Sequence, residues 1–211
     1  MENGFHKDTE RRAKKREFEL IGGHPALDLV NTLDWRFRAS GAEELLSDYR
    51  DLVRFVEQSR MMSAGDARRL VRNVPDGKGA RVLAIVREVR EAAAAVLYSA
   101  LDGKNPPAAA TCLLEKCAND ARQHEELRWD DSKMVWELPQ SPAPAALPLW
   151  LLSRSIAEFV TSDQMDLLRQ CGNEECRWVF ADTSKNRMRR WCDMKICGNR
   201  MKARRFKAQH K

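Results

Sequence analysis

The chain has 211 residues, of which 43% are hydrophobic and 32% are charged. This balance predicts a globular, largely helical protein and argues against a fibrous or membrane protein. No apolar run is long enough to cross a bilayer, and residues 1–16 are charged where a secretory signal would be apolar. We therefore predict a cytoplasmic protein with reduced thiols, no membrane partner and a flexible N-terminus over residues 1–16.

The positive charge is concentrated at the C-terminus. Residues 171–211 hold 12 Lys and Arg against 4 Asp and Glu, a net charge of +8, whereas the rest of the chain is at −2. This division predicts a near-neutral body followed by a module that binds a polyanion.

Helical periodicity dominates the first half of the chain. Ala26, Leu29, Val30, Leu33 and Phe37 recur at helical spacing and predict a first helix with one apolar face. Further helices are predicted over residues 45–56, over 63–71 with Ser63 as N-cap, over 80–101 ending at Asp-Gly, and over 105–124.

The pattern changes to a period of two between Glu126 and Leu138, which predicts a β-hairpin with a polar four-residue turn. Because two strands alone are marginally stable, residues 17–21 are expected to add a third strand. Four prolines make residues 139–148 the clearest linker, and a helix is predicted over residues 149–168. The predicted fold class is α+β: a mainly helical body over residues 17–168 with a small antiparallel sheet, followed by a small domain over residues 169–211.

Four cysteines in this last segment have the spacing of metal ligands. Cys171 with Cys176 and Cys192 with Cys197 form two C-x4-C pairs, and the turn dipeptide Gly-Asn follows Cys171 and Cys197. A domain of about 40 residues buries too little apolar surface to fold alone, so four ordinary buried cysteines are the weaker interpretation. We predict one structural zinc ion with a closed shell of four thiolates, in a treble-clef-like finger.

A third C-x4-C pair, Cys112 and Cys117, lies in a predicted helix. Five helical residues turn the chain by about 500 degrees and place the two thiols on different faces. We therefore predict small core residues here and no chelation.

The segment from Cys171 to Arg200 resembles the CGNR zinc-finger family, whose motif stands at residues 197–200. Trp178, Phe180 and the Arg-Arg-Trp-Cys run at residues 189–192 carry the rest of this resemblance. Upstream, GGHPALDLVNTLDWR at residues 22–36 resembles the opening of the ABATE domain. The two resemblances together imply a bacterial, stress-induced transcription regulator that binds DNA.

Basic side chains in the finger are the candidates for nucleic-acid contact. A helix that leaves the second cysteine pair would align Arg200, Arg204, Lys207 and Lys211 on one face. Guanidinium groups bind phosphate through paired hydrogen bonds, so duplex DNA is the expected partner. The predicted contact residues are Arg187, Arg189, Arg190, Arg200, Lys202, Arg204, Arg205 and Lys207. A solvated tail, a tail docked on the body, an RNA-binding protein and a zinc-rigidified protein-interaction module are the alternatives.

The body carries a polar patch on its first predicted helix, formed by Asp28, Asn31, Thr32 and Trp35. This patch could line a pocket for a small-molecule effector, which would make the body a sensor. The favoured interpretation is that these side chains cap helices and form buried hydrogen bonds. The body could also form a homodimer. Enzyme signatures are absent from the sequence, so no enzyme is predicted.

Overall fold

The structure is a computed structural model that describes residues 17–139 and 143–209. The α-helices in these ranges are α1 (Pro25–Asn31), α2 (Tyr49–Gln58), α3 (Ala64–Asn73), α4 (Asp76–Leu101), α5 (Ala108–Gln123), α6 (Leu147–Val160) and α7 (Asn199–Gln209). The strands form three antiparallel pairs: β1 (Leu33–Asp34) with β2 (Glu43–Glu44), β3 (Glu126–Asp130) with β4 (Lys133–Glu137), and β5 (Leu168–Gln170) with β6 (Val179–Ala181). A mainly helical body with small two-stranded sheets, ending in a four-cysteine segment with a hairpin, is the predicted fold class, which is confirmed.

Helix α1 is shorter than predicted. It begins at Pro25, which suits the first turn because its missing N–H has no partner there, and it ends at Asn31. The predicted helical face reached Phe37, but the backbone N–H of Phe37 donates to the carbonyl of Glu175 instead, at 3.3 Å. Trp35 lies in the left-handed region at a φ of 49°. Contacts with the distant C-terminal segment therefore override the local helical period.

Helix α4 crosses the whole body and ends at Asp102-Gly103 as predicted, with Gly103 at a φ of 65°. Close packing against α2 depends on Gly79, because a Cβ there would lie 2.8 Å from Cγ of Tyr49. Near the middle of α4, the buried guanidinium of Arg90 pairs with Glu44 at 2.7 Å and so ties β2 to the helix.

Helix α6 is the central core helix, and ten of its fourteen residues are buried. It begins at Leu147 within the predicted linker, whose residues 140–142 lie outside the described ranges. Ala145 is already buried and accepts a hydrogen bond from the Tyr49 hydroxyl at 2.8 Å. The predicted extension to Leu168 is wrong: α6 ends at Val160, and a 3-10 turn at Asp163–Leu167 leads into β5.

The predicted third strand is also wrong. Residues 17–21 form no strand; instead the Gln58 amide bonds both backbone groups of Phe18, at 3.0 and 2.6 Å. The β3–β4 hairpin therefore has two strands, and its turn has two residues, Asp131 and Ser132, where four were predicted.

The prediction that Cys112 and Cys117 are core residues is wrong for Cys112, which is exposed, and Cys117 is only half-buried. Helix α5 buries only the small residues Ala110 and Ala121. Across the described ranges, no helix has both the length and the apolar character that a membrane span requires.

Candidate zinc centre and basic finger

Four cysteine sulfurs meet between β5 and α7. The Sγ atoms of Cys171, Cys176, Cys192 and Cys197 all lie within 4.8 Å of one another, and all four residues are buried. The sulfurs of Cys176 and Cys192 are 3.7 Å apart. A tetrahedral zinc ion with Zn–S bonds of about 2.3 Å requires sulfurs about 3.8 Å apart, so the cluster fits zinc.

The first cysteine pair is held by a turn that the β5–β6 hairpin closes. The N–H of Cys171 donates to the carbonyl of Trp178 at 2.8 Å, and the N–H of Cys176 donates to the carbonyl of Asn173 at 2.9 Å. Gly172 packs so closely that a Cβ there would lie 3.2 Å from the ring of Trp191. The chain therefore bends tightly enough to direct two sulfurs to one point.

The second pair is held by a π-helical turn at Met194–Gly198. The carboxylate of Asp193 accepts hydrogen bonds from the N–H groups of Lys195 and Ile196, and its backbone carbonyl accepts from Cys197. A Cβ at Gly198 would lie 2.6 Å from the Met194 sulfur, so a larger residue there would require the exposed, flexible side chain of Met194 to move. Helix α7 begins at the next residue, so the metal turn fixes its start.

Asn173 supports the sulfur cluster from outside the ligand set. It is fully buried, and its side-chain N–H donates to the Cys197 sulfur at 3.6 Å while its Oδ1 accepts from Glu175. Such bonds stabilise a thiolate and orient it towards the metal. Sequence reasoning missed this residue, although the repeated Cys-Gly-Asn at residues 171–173 and 197–199 is a signal that could have indicated it.

The four thiols lie close enough to change one another's ionisation. Hydrogen bonds from the neighbouring thiols lower the pKa of Cys171, whereas the same kind of bonds raise the pKa of Cys176. Four thiolates at this spacing would repel one another, so they need a positive charge between them. A divalent zinc ion supplies that charge, and with four sulfur ligands it has no open position for water, so its role is structural. Among the described residues this is the one metal-binding cluster.

The zinc segment is joined to the body by a buried amide clamp. The side chain of Asn31 donates to the carbonyl of Val179 and accepts from its N–H, both at 2.9 Å. The N–H of Ala181 donates to the carbonyl of Gly22 at 2.8 Å. Val179 and Ala181 belong to the same apolar core as α1, α4 and α6.

The other residues of the predicted polar patch have separate structural partners. Asp28 accepts from the N–H of Gly22 at 2.7 Å, and Thr32 donates to the carbonyl of Leu29 and accepts from Arg90. Burial raises the pKa of Asp28 to about 6, against the opposing hydrogen bonds of Gly22 and Ile21. Trp35 alone of the four lines a cleft.

That cleft has a volume of about 450 Å³ and lies between the body and the cysteine segment. Its walls include Trp35, Trp178, Arg200 and several carboxylates of the body, and it reaches the side of the sulfur cluster. Burial raises the pKa of Asp34 on this wall, against a hydrogen bond from the backbone of Trp35.

The predicted nucleic-acid residues divide into two groups. Three have partners within the chain. Arg189 donates to the carbonyls of Trp191, Ile21 and Cys192. The guanidinium of Arg200 lies 4.4 Å from the ring centroid of Trp35, and that of Arg204 pairs with Glu175 at 3.1 Å. Four others are exposed and have no carboxylate partner in the described part of the chain: Arg187, Arg190, Lys202 and Lys207. Lys185 and Lys195, which were not predicted, share this property. Of these cations, Arg190 lies over the ring of its neighbour Trp191, 4.9 Å from the centroid. The side chain of Arg205, and Lys211, lie outside the described residues.

A helical body joined to a four-cysteine zinc finger is the class of protein that this fold and site define. Residues 23–163 match the ABATE family, described as "Putative stress-induced transcription regulator", and residues 168–210 match the CGNR zinc finger. The chain therefore belongs to the ABATE family and ends in a CGNR zinc finger, which confirms the resemblance seen in the sequence. Neither family description names a catalytic activity. No curated protein matches the chain.

Proposed function

We propose that this protein is a transcription regulator that binds DNA through its zinc finger and α7, with the helical body as its sensor. The observation that carries the proposal is the group of exposed cations around the buried zinc site that have no carboxylate partner among the described residues. Phosphate backbones attract such groups strongly, and a zinc-fixed scaffold holds them in place when the complex forms.

Six described cations are proposed to meet phosphates. They are Lys185, Arg187, Arg190, Lys195, Lys202 and Lys207. Arg200, Arg204 and Arg205 would extend this surface along α7, and Arg189 would act indirectly by holding the turn beside the second cysteine pair. Arg200 and Arg204 face Trp35 and Glu175, so they must leave these partners to reach DNA.

Salt dependence tests the proposal. With six phosphate contacts, the logarithm of the affinity for a generic duplex should fall against the logarithm of the salt concentration with a slope of roughly −5. Reversing two charges in Lys202→Glu/Lys207→Glu should weaken binding and make the slope shallower by about 2. Fluorescence anisotropy of a labelled duplex measures both quantities.

The matched control reverses two exposed cations of the body, in Arg68→Glu/Lys78→Glu. This variant has the same net charge as the α7 variant but should keep the slope and nearly all of the affinity. Equal losses in the two variants, or a slope near zero in the native protein, would show that the finger is not a specific contact surface for DNA.

Two other functions are outcomes of the same experiment. An RNA-binding protein would favour single strands over duplex. Trp178 and Phe180 are buried and cannot stack on bases, but the ring of Phe206 on α7 is exposed, so the preference for single strands is what separates the two functions. A protein-interaction module would bind neither nucleic acid.

The cleft between body and finger supports the sensor part of the proposal. A small effector bound beside Trp35 and Arg200 would touch both the body and the first turn of α7. It would therefore change the position of a helix that we propose to lie on DNA. An effector that acts here should change the fluorescence of Trp35 and the affinity for duplex together.

A further inference from the structure

The β3–β4 hairpin is an arm with an apolar face that the body does not cover. Nine of its ten strand residues are exposed. In the strand register, Leu127 pairs with Trp136 and Trp129 pairs with Met134, so all four apolar side chains lie on one face. Their exposed fractions are 49% for Leu127, 67% for Trp129, 49% for Met134 and 62% for Trp136. Exposed apolar side chains grouped in this way mark an interaction surface.

One edge of this arm is free for pairing. In a hairpin closed by a two-residue turn, the flanking pair exchanges hydrogen bonds, and the hydrogen-bonded pairs alternate from there. Lys133, Val135 and Glu137 therefore direct their backbone groups towards β3. Met134 and Trp136 direct theirs outward, and the described residues contain no strand next to them.

The charges of β4 are complementary to a second β4. An antiparallel pair of two β4 strands centred on Val135 places Lys133 of each copy opposite Glu137 of the other. The same register brings the outward amides of Met134 and Trp136 opposite each other, so the hydrogen bonds and the charges agree on one arrangement. Two-fold symmetry repeats every contact.

The other edge and the hairpin itself favour the same arrangement. A pair of two β3 strands centred on Arg128 would place Glu126 opposite Asp130 and the two arginines opposite each other, which is repulsive. Within the hairpin, Glu126 stands directly opposite Glu137, a pair of like charges. Arg128 pairs with Glu126 at 2.7 Å, whereas no described residue forms an ion pair with Glu137. Lys133 of a second copy would lie on the free side of Glu137 and offset this repulsion.

We propose that two copies of this chain associate through their β4 strands to form a four-stranded antiparallel sheet. On the apolar face of this sheet, neighbouring side chains form rows that cross all four strands. Each row contains Trp129 and Met134 of one copy, followed by Trp136 and Leu127 of the other. The side chains therefore cover one another along the row, and Met sulfur lies beside indole rings. This association does not depend on the proposed DNA binding, and it is measured without DNA.

Charge reversal at Glu137 is the decisive test. Glu137→Lys removes the like-charge pair within the hairpin, so the arm itself should remain folded. Across the symmetry axis, however, it places a lysine at position 137 of each copy opposite Lys133 of the other. Sedimentation velocity over a concentration series should give a dissociation constant raised by about tenfold or more relative to the native protein. The control Glu115→Lys makes the same change of charge at an exposed residue of α5, away from the arm, and it should leave the dissociation constant unchanged.

Mixing two variants gives a rescue that only this register predicts. In Lys133→Glu, positions 133 and 137 are both acidic, and in Glu137→Lys both are basic. Since these two positions face each other across the symmetry axis, each variant alone should be monomeric. An equimolar mixture should form a heterodimer, because every contact across the axis then joins opposite charges. A native protein that remains monomeric at the highest soluble concentration would overturn the proposal. A dimer that survives Glu137→Lys, or variants that fail to associate when mixed, would overturn it equally.

Discussion

At the scale of single residues, whether a cysteine pair can bind a metal depends on its position in the fold and not on its spacing alone. Three C-x4-C pairs occur in the chain, but only two of them lie on tight turns that bring their sulfurs to one point. Cys112 and Cys117 have the same spacing on the regular helix α5, and Cys112 is exposed. Backbone geometry therefore separates ligands from non-ligands.

Substituting one ligand should remove the metal. We expect the native protein to contain one zinc ion per chain and Cys192→Ser to contain far less, because a hydroxyl replaces one of four thiolates. Cys112→Ser is the matched control and should retain one zinc ion. Metal analysis of the purified proteins by mass spectrometry measures the difference. Equal zinc contents in both variants would contradict the assignment of the ligands.

Asp28 should make stability depend on pH. Its pKa is raised from 3.8 to about 6 by burial, so the folded state binds more protons than the unfolded state between these values. The stability that Asp28 contributes is therefore lost as the pH rises from about 4 to 6. In Asp28→Asn this dependence is absent.

Urea denaturation at two pH values tests whether the stability contributed by Asp28 falls as the pH rises. Between pH 7 and pH 5 the free energy of unfolding of the native protein should rise by on the order of 1 kcal/mol relative to Asp28→Asn. Groups that titrate equally in both proteins cancel in this comparison. A constant difference between the two proteins would contradict the raised pKa.

At the scale of elements, the predicted helix boundaries were missed at both ends. Helices α2, α4 and α5 begin three or four residues away from their predicted starts at residues 45, 80 and 105, whereas α4 ends as predicted. Caps nevertheless mark several starts in the structure. Ser63 and Asp48 accept hydrogen bonds from the first turns of α3 and α2, and Pro25 and Pro148 lie in the first turns of α1 and α6. The ends of α1 and α6 depend on contacts with residues far along the chain. Helical period alone therefore overestimated both lengths.

Helix α7 shows how tertiary packing changes the meaning of a charge pattern. Arg200 and Arg204 fall on one helical face, as the sequence predicts, but that face turns towards Trp35 and Glu175 of the chain itself. Lys202 lies on a different side and is exposed. The proposed contacts with DNA therefore include residues such as Lys185 and Lys195 that lie on the turns of the finger and not on the helix.

At the scale of the whole molecule, Val179 and Ala181 of the finger lie in the core of the body, whereas the four cysteines form a second cluster with Trp178 and Phe180. The charge division and the proline-rich segment predict that zinc loss unfolds the tail while the body stays folded. The clamp between Asn31 and Val179, and the place of β6 in the main core, favour a single cooperative unit instead. Removing zinc with a chelator should then lower the midpoint of one thermal transition that includes the helices of the body.

Asn31→Ala should weaken this unit. It leaves two buried backbone groups of Val179 without partners, which should cost about 2 to 4 kcal/mol of unfolding free energy. The control Asn119→Ala replaces an exposed residue of α5 and should change stability by less than about 0.5 kcal/mol. Two separate transitions, with that of the body unaffected by chelator or by Asn31→Ala, would show that the parts fold independently.

The sequence by itself determined the zinc ligands, the helical character of the body, the hairpin arm and the place of the positive charge. Each of these depends on spacing, caps or composition within a short segment, and local chemistry is sufficient for them. Tertiary structure decided which cations are exposed, where α1 and α6 end, and that Asn31 is a clamp between two parts 148 residues apart. These features arise from pairing between distant residues, and no local pattern specifies which distant groups will meet.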